Sequence, residues 1–226
     1  MKNQIIVIIA VFVAAMQLLG CTGIDGFEWL HILSKPLIVP LGFAWFILNY
    51  PGKETRYVYS VTAAMLFSLL GDVLLIFDEN PSFFTFGLLS FMIAHLFYIY
   101  AFSQAAFHVR EIPLLRRMPL LSIPYLAIGY WVFYTLRNDL NELKFAVFVY
   151  IVVLLGMALA ALNRYNRVGK YSFTLVFSGS ALFLLSDTIL ALNRFHTEIP
   201  MGMFWIMITY MGAQWLFARG LAQNHT

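Results

Sequence analysis

About eight stretches of roughly 20 mostly apolar residues, joined by short polar connections, make up nearly all of this chain. Each is long enough, as a helix, to cross ~30 Å of hydrocarbon. Inside lipid every backbone N–H and C=O must find its partner within the protein, so only helices and closed barrels cross it. Runs of this length read as membrane-crossing helices. Composition agrees, with 62% hydrophobic and 11% charged residues among 226 and a mean hydropathy of +0.81. The expected fold is all-α: one integral membrane domain over residues 1–226, built as a polytopic bundle of eight transmembrane helices.

The spans fall near 4–20, 34–50, 57–77, 84–107, 118–136, 143–163, 171–192 and 201–221. Pro36 suits the first turn of the second span, where its missing N–H is not needed, and Pro51-Gly52 ends that span. Pro119 and Pro124 lie early in the fifth, where Pro124 is expected to kink the helix. Leu18-Leu19-Gly20-Cys21 resembles a lipoprotein cleavage site, but leucine fits poorly just before the small residue, and the first span is expected to stay in the protein. Cys21 is the only cysteine, which excludes an internal disulfide and a cysteine-based zinc site.

With loops assigned alternately to two sides, Lys2, Lys53, Arg56, Arg110, Arg116, Arg117, Arg164, Arg167, Lys170 and Arg219 share the side of the N-terminus. Only Lys35, Arg137, Lys144 and Arg194 lie opposite, together with Asp25, Glu28, Asp78, Glu79, Asp139, Glu142 and Glu198. The positive-inside rule then puts both termini in the cytoplasm, as in a bacterial inner-membrane protein. The net charge of +3 belongs to these loops and is no nucleic-acid patch. Asp78, Glu79 and the arginine-rich loops read as solvated.

Two aspartates sit inside apolar runs in nearly the same local sequence, Leu69-Leu70-Gly71-Asp72-Val73-Leu74 and Leu184-Leu185-Ser186-Asp187-Thr188-Ile189. A carboxylate at bilayer depth costs roughly 2.5–3.5 kcal/mol on insertion scales, so two of them point to a shared polar cavity. An offset of 115 residues superposes them, and also pairs Gly87 with Gly202, His95 with Tyr210 and Phe67 with Leu182. This allows two parallel four-helix repeats, 1–113 and 114–226, about an axis along the membrane normal. Both carboxylates are expected roughly 9 Å below the outer end of their helices.

Lys35 opens the second span on the same outer side. Gly87, Phe91, His95 and Tyr98 share one face of the fourth span, and Tyr210 and Gln214 one face of the eighth. Gly87, Ser90 and Ala94 permit close helix packing. Each has a plainer reading: a carboxylate or histidine can simply lock two helices together, tyrosine is common here at 12 residues, and Lys35-Pro36 can be an interfacial anchor.

Taken together, Lys35-Pro36-Leu37, Ser68-x-x-Gly71-Asp72, Gly87-x-x-x-Phe91-x-x-x-His95-x-x-Tyr98, Tyr150, Ser186-Asp187 and Tyr210-x-x-x-Gln214 resemble the eight-helix lysoplasmalogenases, or YhhN family. The resemblance implies hydrolysis of the vinyl-ether bond of a 1-alkenyl lysoglycerophospholipid to a fatty aldehyde and a glycerophospho-alcohol, with no metal or cofactor. Asp72 and Asp187 would be catalytic, and Lys35, His95, Tyr98, Tyr150, Ser186, Tyr210 and Gln214 would bind substrate. The partners implied are a lysophospholipid and the surrounding membrane lipids.

The chemistry suits a carboxyl pair: one protonates the distal alkene carbon, and the other, ionised, steadies the oxocarbenium ion and orients water. Hydroxyls from the flanking Ser186 and Thr188 would favour ionised Asp187, leaving Asp72 as the acid. Two other classes compete. A metal-dependent lipid amidase of the ceramidase type is disfavoured because, of His31, His95, His108, His196 and His225, only His95 falls within a span. A small proton-coupled transporter or lipid-moving protein would also use protonatable aspartates at matched depth.

Overall fold

A computed structural model describes residues 2–105 and 111–223. Of the residues invoked above, His108, Arg110 and His225 lie outside the described residues. Among the described residues the chain is helical throughout, without a strand: α1 (Lys2–Gly20), α2 (Glu28–Asn49), α3 (Thr55–Leu74), α4 (Pro81–Ala105), a short α5 (Leu114–Arg117), α6 (Ile123–Leu136), α7 (Lys144–Leu162), α8 (Lys170–Phe195) and α9 (Gly202–Ala222). The eight long ones answer to the eight expected spans. Seven are both long and apolar enough to cross a membrane. The remaining long helix, α9, is diluted by Tyr210, Gln214 and Arg219 and faces inward, with eleven of its 21 residues buried against two of 19 in α1.

The outside of the bundle is apolar. Ile8, Phe12, Leu120 and Phe145 are each more than 60% exposed, as befits side chains whose solvent is hydrocarbon. The molecule is an integral membrane protein. Since lipid is as apolar as leucine, cohesion has to come from close packing and internal hydrogen bonds. Along the α3–α4 seam, a Cβ on Gly71 would stand 2.6 Å from the Phe91 ring, so only glycine admits that ring.

α3 lies along α4 and α8 along α9 as the two most extensive helix pairs, while α2 packs on α9 and α7 on α4. α1 and α6 flank this group. At one end of the bundle, Arg194 Nη2 donates to the Asp78 carbonyl at 2.7 Å and His196 Nδ1 meets Asp139 Oδ2 at 2.8 Å. At the other end, Tyr57 OH donates to Leu221 O at 2.9 Å, and Ser172 Oγ to Gly220 O at 2.6 Å.

Several local expectations need correcting. α2 begins at Glu28, so Lys35 is its eighth residue and Pro36 lies two turns inside it, with Pro40 one turn further. Polar side chains at this end of α2 are paired inside: Ser34 Oγ donates to Gln17 Oε1 at 2.7 Å, and His31 Nδ1 lies 2.6 Å from Gln17 Nε2. His31 therefore belongs to the first turn of α2 rather than to a connection. Pro124 does not kink a helix, because Pro119–Ser122 forms a separate 3-10 turn and Pro124 falls in the first turn of α6.

The helix ends beyond the two aspartates are also unequal. α3 runs on as a 3-10 turn to Phe77, five residues past Asp72, whereas α8 continues eight residues past Asp187. At ~1.5 Å per α-helical residue and ~2 Å per 3-10 residue these are roughly 9 and 12 Å, so the expected ~9 Å fits Asp72 and Asp187 lies deeper.

Candidate active site

Asp72 occupies the last turn of α3 and is 1% exposed. The Tyr210 hydroxyl of α9 donates to its Oδ2 at 2.7 Å. One helical turn on, Gln214 Nε2 donates to that same hydroxyl at 3.1 Å, and Tyr98 OH from α4 donates to Gln214 Oε1 at 3.2 Å. The four side chains form a continuous string. Lys35 of α2 is buried in the same region and borders one space with the carboxylates of Asp72 and Asp78.

Asp187 on α8 is held by a second string. Tyr150 OH of α7 donates to its Oδ2 at 2.5 Å, while His95 Nε2 of α4 lies 3.1 Å from that hydroxyl and 3.5 Å from the carboxylate. The tyrosine has one proton and gives it to Asp187, so His95 Nε2 is the donor in its own contacts. His95 Nδ1 is buried with no hydrogen-bond partner among the described residues.

The two strings meet at one cavity of about 40 Å³, lined by Lys35, Asp72, Asp78, Asp187 and Tyr210 together with apolar side chains of α8 and α9. Phe91 lines it, edge-on to Tyr210 at 5.8 Å, and Phe183 stands between the strings, edge-on to His95 at 4.7 Å and to Tyr210 at 5.5 Å. Such aromatic pairs fix ring positions. Both carboxylates therefore face common space, each with a tyrosine hydroxyl on one oxygen.

The 115-residue offset carries Asp72 onto Asp187, Tyr210 onto His95 and Lys35 onto Tyr150. Each aspartate is thus approached by a side chain from the corresponding pair of helices: α9 and α2 for Asp72, α4 and α7 for Asp187. The offset thus joins residues of different chemistry at both places, Lys35 with Tyr150 and His95 with Tyr210.

The sequence-derived candidates do not all line the cavity. His95, Tyr98 and Gln214 stand behind it and hold the residues that do, and Tyr150 faces a neighbouring apolar furrow. Ser186 borders the cavity, yet its hydroxyl donates to Ile206 O at 3.0 Å, and the Thr188 hydroxyl to Leu184 O at 2.7 Å. Neither hydroxyl reaches Asp187. The reason for making Asp187 the ionised partner and Asp72 the acid is therefore removed.

Asp78, read as solvated, borders the cavity and pairs with Arg194 at 3.9 Å. Arg164, read as part of a solvated loop, is fully buried, with Nη2 donating to Ser172 Oγ at 2.8 Å and its guanidinium 5.6 Å from the Phe102 ring centre. Burial lowers its affinity for a proton, which the Tyr57 hydroxyl partly offsets. Among the described residues, no group of three or more histidine, cysteine, aspartate or glutamate side chains is placed to hold a metal ion.

A carboxylate pair inside a polytopic helical bundle, Asp72 buried and Asp187 partly so, defines the class of site. The chain matches the YhhN family over residues 30–221 and belongs to that family. It is similar to the human protein named lysoplasmalogenase TMEM86A, 28% identical over 197 residues that cover 87% of this chain and 74% of the relative. It is likewise similar to human lysoplasmalogenase TMEM86B, 30% identical over 194 residues covering 85% and 75%, and to the Bos taurus TMEM86A protein at 28% over 197 residues, covering 87% and 74%. No solved structure matches the chain.

Proposed function

We propose that this protein hydrolyses the vinyl-ether bond of 1-alkenyl lysoglycerophospholipids, releasing a fatty aldehyde and a glycerophospho-alcohol, with Asp72 and Asp187 as the catalytic groups. The observation that carries the reading is the shared cavity with a carboxylate on either side, each fixed through Oδ2 by a tyrosine. Family membership and the names of the relatives supply the bond type.

Vinyl-ether hydrolysis needs a proton on the distal alkene carbon, then water on the oxocarbenium carbon. One carboxyl donates that proton while the other, as an anion, faces the cation and takes a proton from the attacking water. The resulting hemiacetal returns its hydroxyl proton to the first carboxylate and breaks its bond to the glycerol oxygen as the second carboxyl protonates that oxygen, so both carboxyls are restored and one water is consumed per bond cleaved. Fixed, water-poor dipoles of this kind stabilise developing charge far better than bulk water does. Lys35 is the cation of the cavity and suits the substrate phosphate; Ser186 and Tyr210 form part of its wall. His95, Tyr98, Tyr150 and Gln214 serve as positioning residues.

The corresponding packing of α2–α9 and α7–α4 supports two repeats, 1–113 and 114–226. The segregation of basic residues supports termini in the cytoplasm, with the Asp78–Arg194 end of the bundle on the opposite side.

Purified protein in detergent, given an alkenyl lysophospholipid, should release aldehyde without a second aqueous compartment. Intact substrate after prolonged incubation with folded protein would instead favour a transporter or lipid-moving protein.

A further inference from the structure

A second concavity adjoins the carboxylate cavity. It is an apolar furrow between α4, α6, α7 and α8, bordered by Leu88, Gly129, Ile151, Leu154, Leu155 and Ala191. Its polar members are Asp187, Tyr150 and Thr188. Asp187 and Leu190 border both spaces, so this one carboxylate stands at the partition between a polar chamber and a hydrocarbon-lined one. Asp72 and Lys35 belong to the polar chamber alone.

We propose that this furrow seats the alkenyl chain of the substrate next to its vinyl-ether bond, with the glycerophosphate in the chamber of Lys35 and Asp72. The assignment rests on the function proposed above. A lysophospholipid is polar at one end and apolar at the other, with the ether oxygen at the junction, and these two adjoining spaces have that same division. The furrow's volume is about 40 Å³, so it takes only the first carbons of the chain and leaves the remainder to lie in lipid. A roomier crevice of about 290 Å³ between α1, α2 and α9 is bordered by no ionisable side chain and by neither aspartate.

The distal alkene carbon lies on the chain side of the ether oxygen. Seating the chain here brings that carbon to Asp187, whose Oδ1 has no protein hydrogen bond among the described residues, and makes Asp187 the proton donor. The proton leaves Asp187 for carbon as the C=C π bond is lost. Asp72 faces the oxocarbenium carbon from the polar side and receives the proton of the attacking water.

The test compares kcat/KM for a lysophospholipid with a 16-carbon alkenyl chain and for its short-chain analogue with a bare two-carbon vinyl group, which has no carbon beyond the double bond to place in the furrow. A side chain at Gly129 would begin 2.5 Å from Leu155 Cδ1, so Gly129→Leu narrows the furrow, and Leu155→Ala widens it by deleting volume alone. Gly129→Leu should lower the ratio of long- to short-chain kcat/KM by about tenfold or more, the scale at which pockets discriminate by methylenes. Leu155→Ala should raise acceptance of a chain branched near the double bond, and is read by itself if the first variant does not fold. Ala14→Trp, in the α1–α2–α9 crevice, should change neither quantity. An active wild type whose chain preference is unmoved by both furrow variants, or moved by Ala14→Trp, overturns the furrow assignment while leaving the proposed function standing. A folded wild type that releases no aldehyde overturns the function, and this assignment with it.

Discussion

Tyr210→Phe removes one oxygen and nothing else from the Asp72 string. The ring keeps its edge-on contacts with Phe91 at 5.8 Å and Phe183 at 5.5 Å, so the packing around the cavity should survive. What is lost is the 2.7 Å hydrogen bond to Asp72 Oδ2 and the acceptor for Gln214 Nε2. A hydrogen bond to a charged group contributes about 1.5–3 kcal/mol, and each 1.4 kcal/mol is a factor of ten, so kcat should fall roughly 10- to 150-fold. The hydroxyl holds the carboxylate rather than the lipid, so KM should change little. Leaving the buried Gln214 amide short of a partner costs about 1–3 kcal/mol, which thermal unfolding in detergent should detect as a modest fall in Tm. Aldehyde release under saturating substrate is the assay. A kcat within twofold of wild type, in a background where Asp72→Asn is inactive, would refute the reasoning that Tyr210 orients the carboxylate.

Lys35→Met should lower kcat/KM for a lysophospholipid about 10- to 100-fold by removing a charge-assisted contact to phosphate, and should spare an alkenyl glycerol that lacks phosphate; equal losses on both would contradict this role. Gly71→Ala would set a methyl 2.6 Å from the Phe91 ring and push it towards Tyr210 and Phe183, so activity should fall while the protein still folds; full activity would contradict the tight seam. Cys21 is buried against Gln17 and His31, and burial pushes its thiol up to about 11, so maleimide at neutral pH should label the native protein slowly and the denatured protein fast. Arg164→Ala should lower stability by roughly 3 kcal/mol, because a large buried side chain disappears together with its bond to Ser172; an unchanged Tm in detergent would contradict a structural role.

Hydropathy made the bundle legible, because a helix in lipid advertises its length and its apolar surface, and an intramembrane carboxylate stands out against that background. Asp72 and Asp187 were visible for this reason, as was the shared face of Phe91, His95 and Tyr98. The first turns of α2 were hidden, since Glu28 and His31 interrupt the apolar run, and His31 finds its partner only when Gln17 of α1 is placed beside it. Ser186 and Thr188 were misread because a hydroxyl in a helix has backbone carbonyls within reach, here those of Ile206 and Leu184, which compete with any carboxylate nearby. Arg164 follows directly on the end of α7, where an arginine ordinarily meets water or headgroups. Only the convergence of Phe102 and Ser172 on it shows that it is enclosed. The furrow beside Asp187 could not be read at all, because it is a gap between four helices that no local pattern records.

The central claim is that this carboxylate pair protonates a vinyl-ether carbon and then adds water. It is tested most directly by running the reaction in D₂O with wild type, Asp72→Asn and Asp187→Asn proteins of matched folding, trapping the aldehyde as it forms. Aldehyde from wild type carrying one deuterium on the carbon next to the carbonyl, and none from either variant, is the predicted result. Aldehyde without that deuterium, or a variant that keeps the wild-type rate, would contradict it.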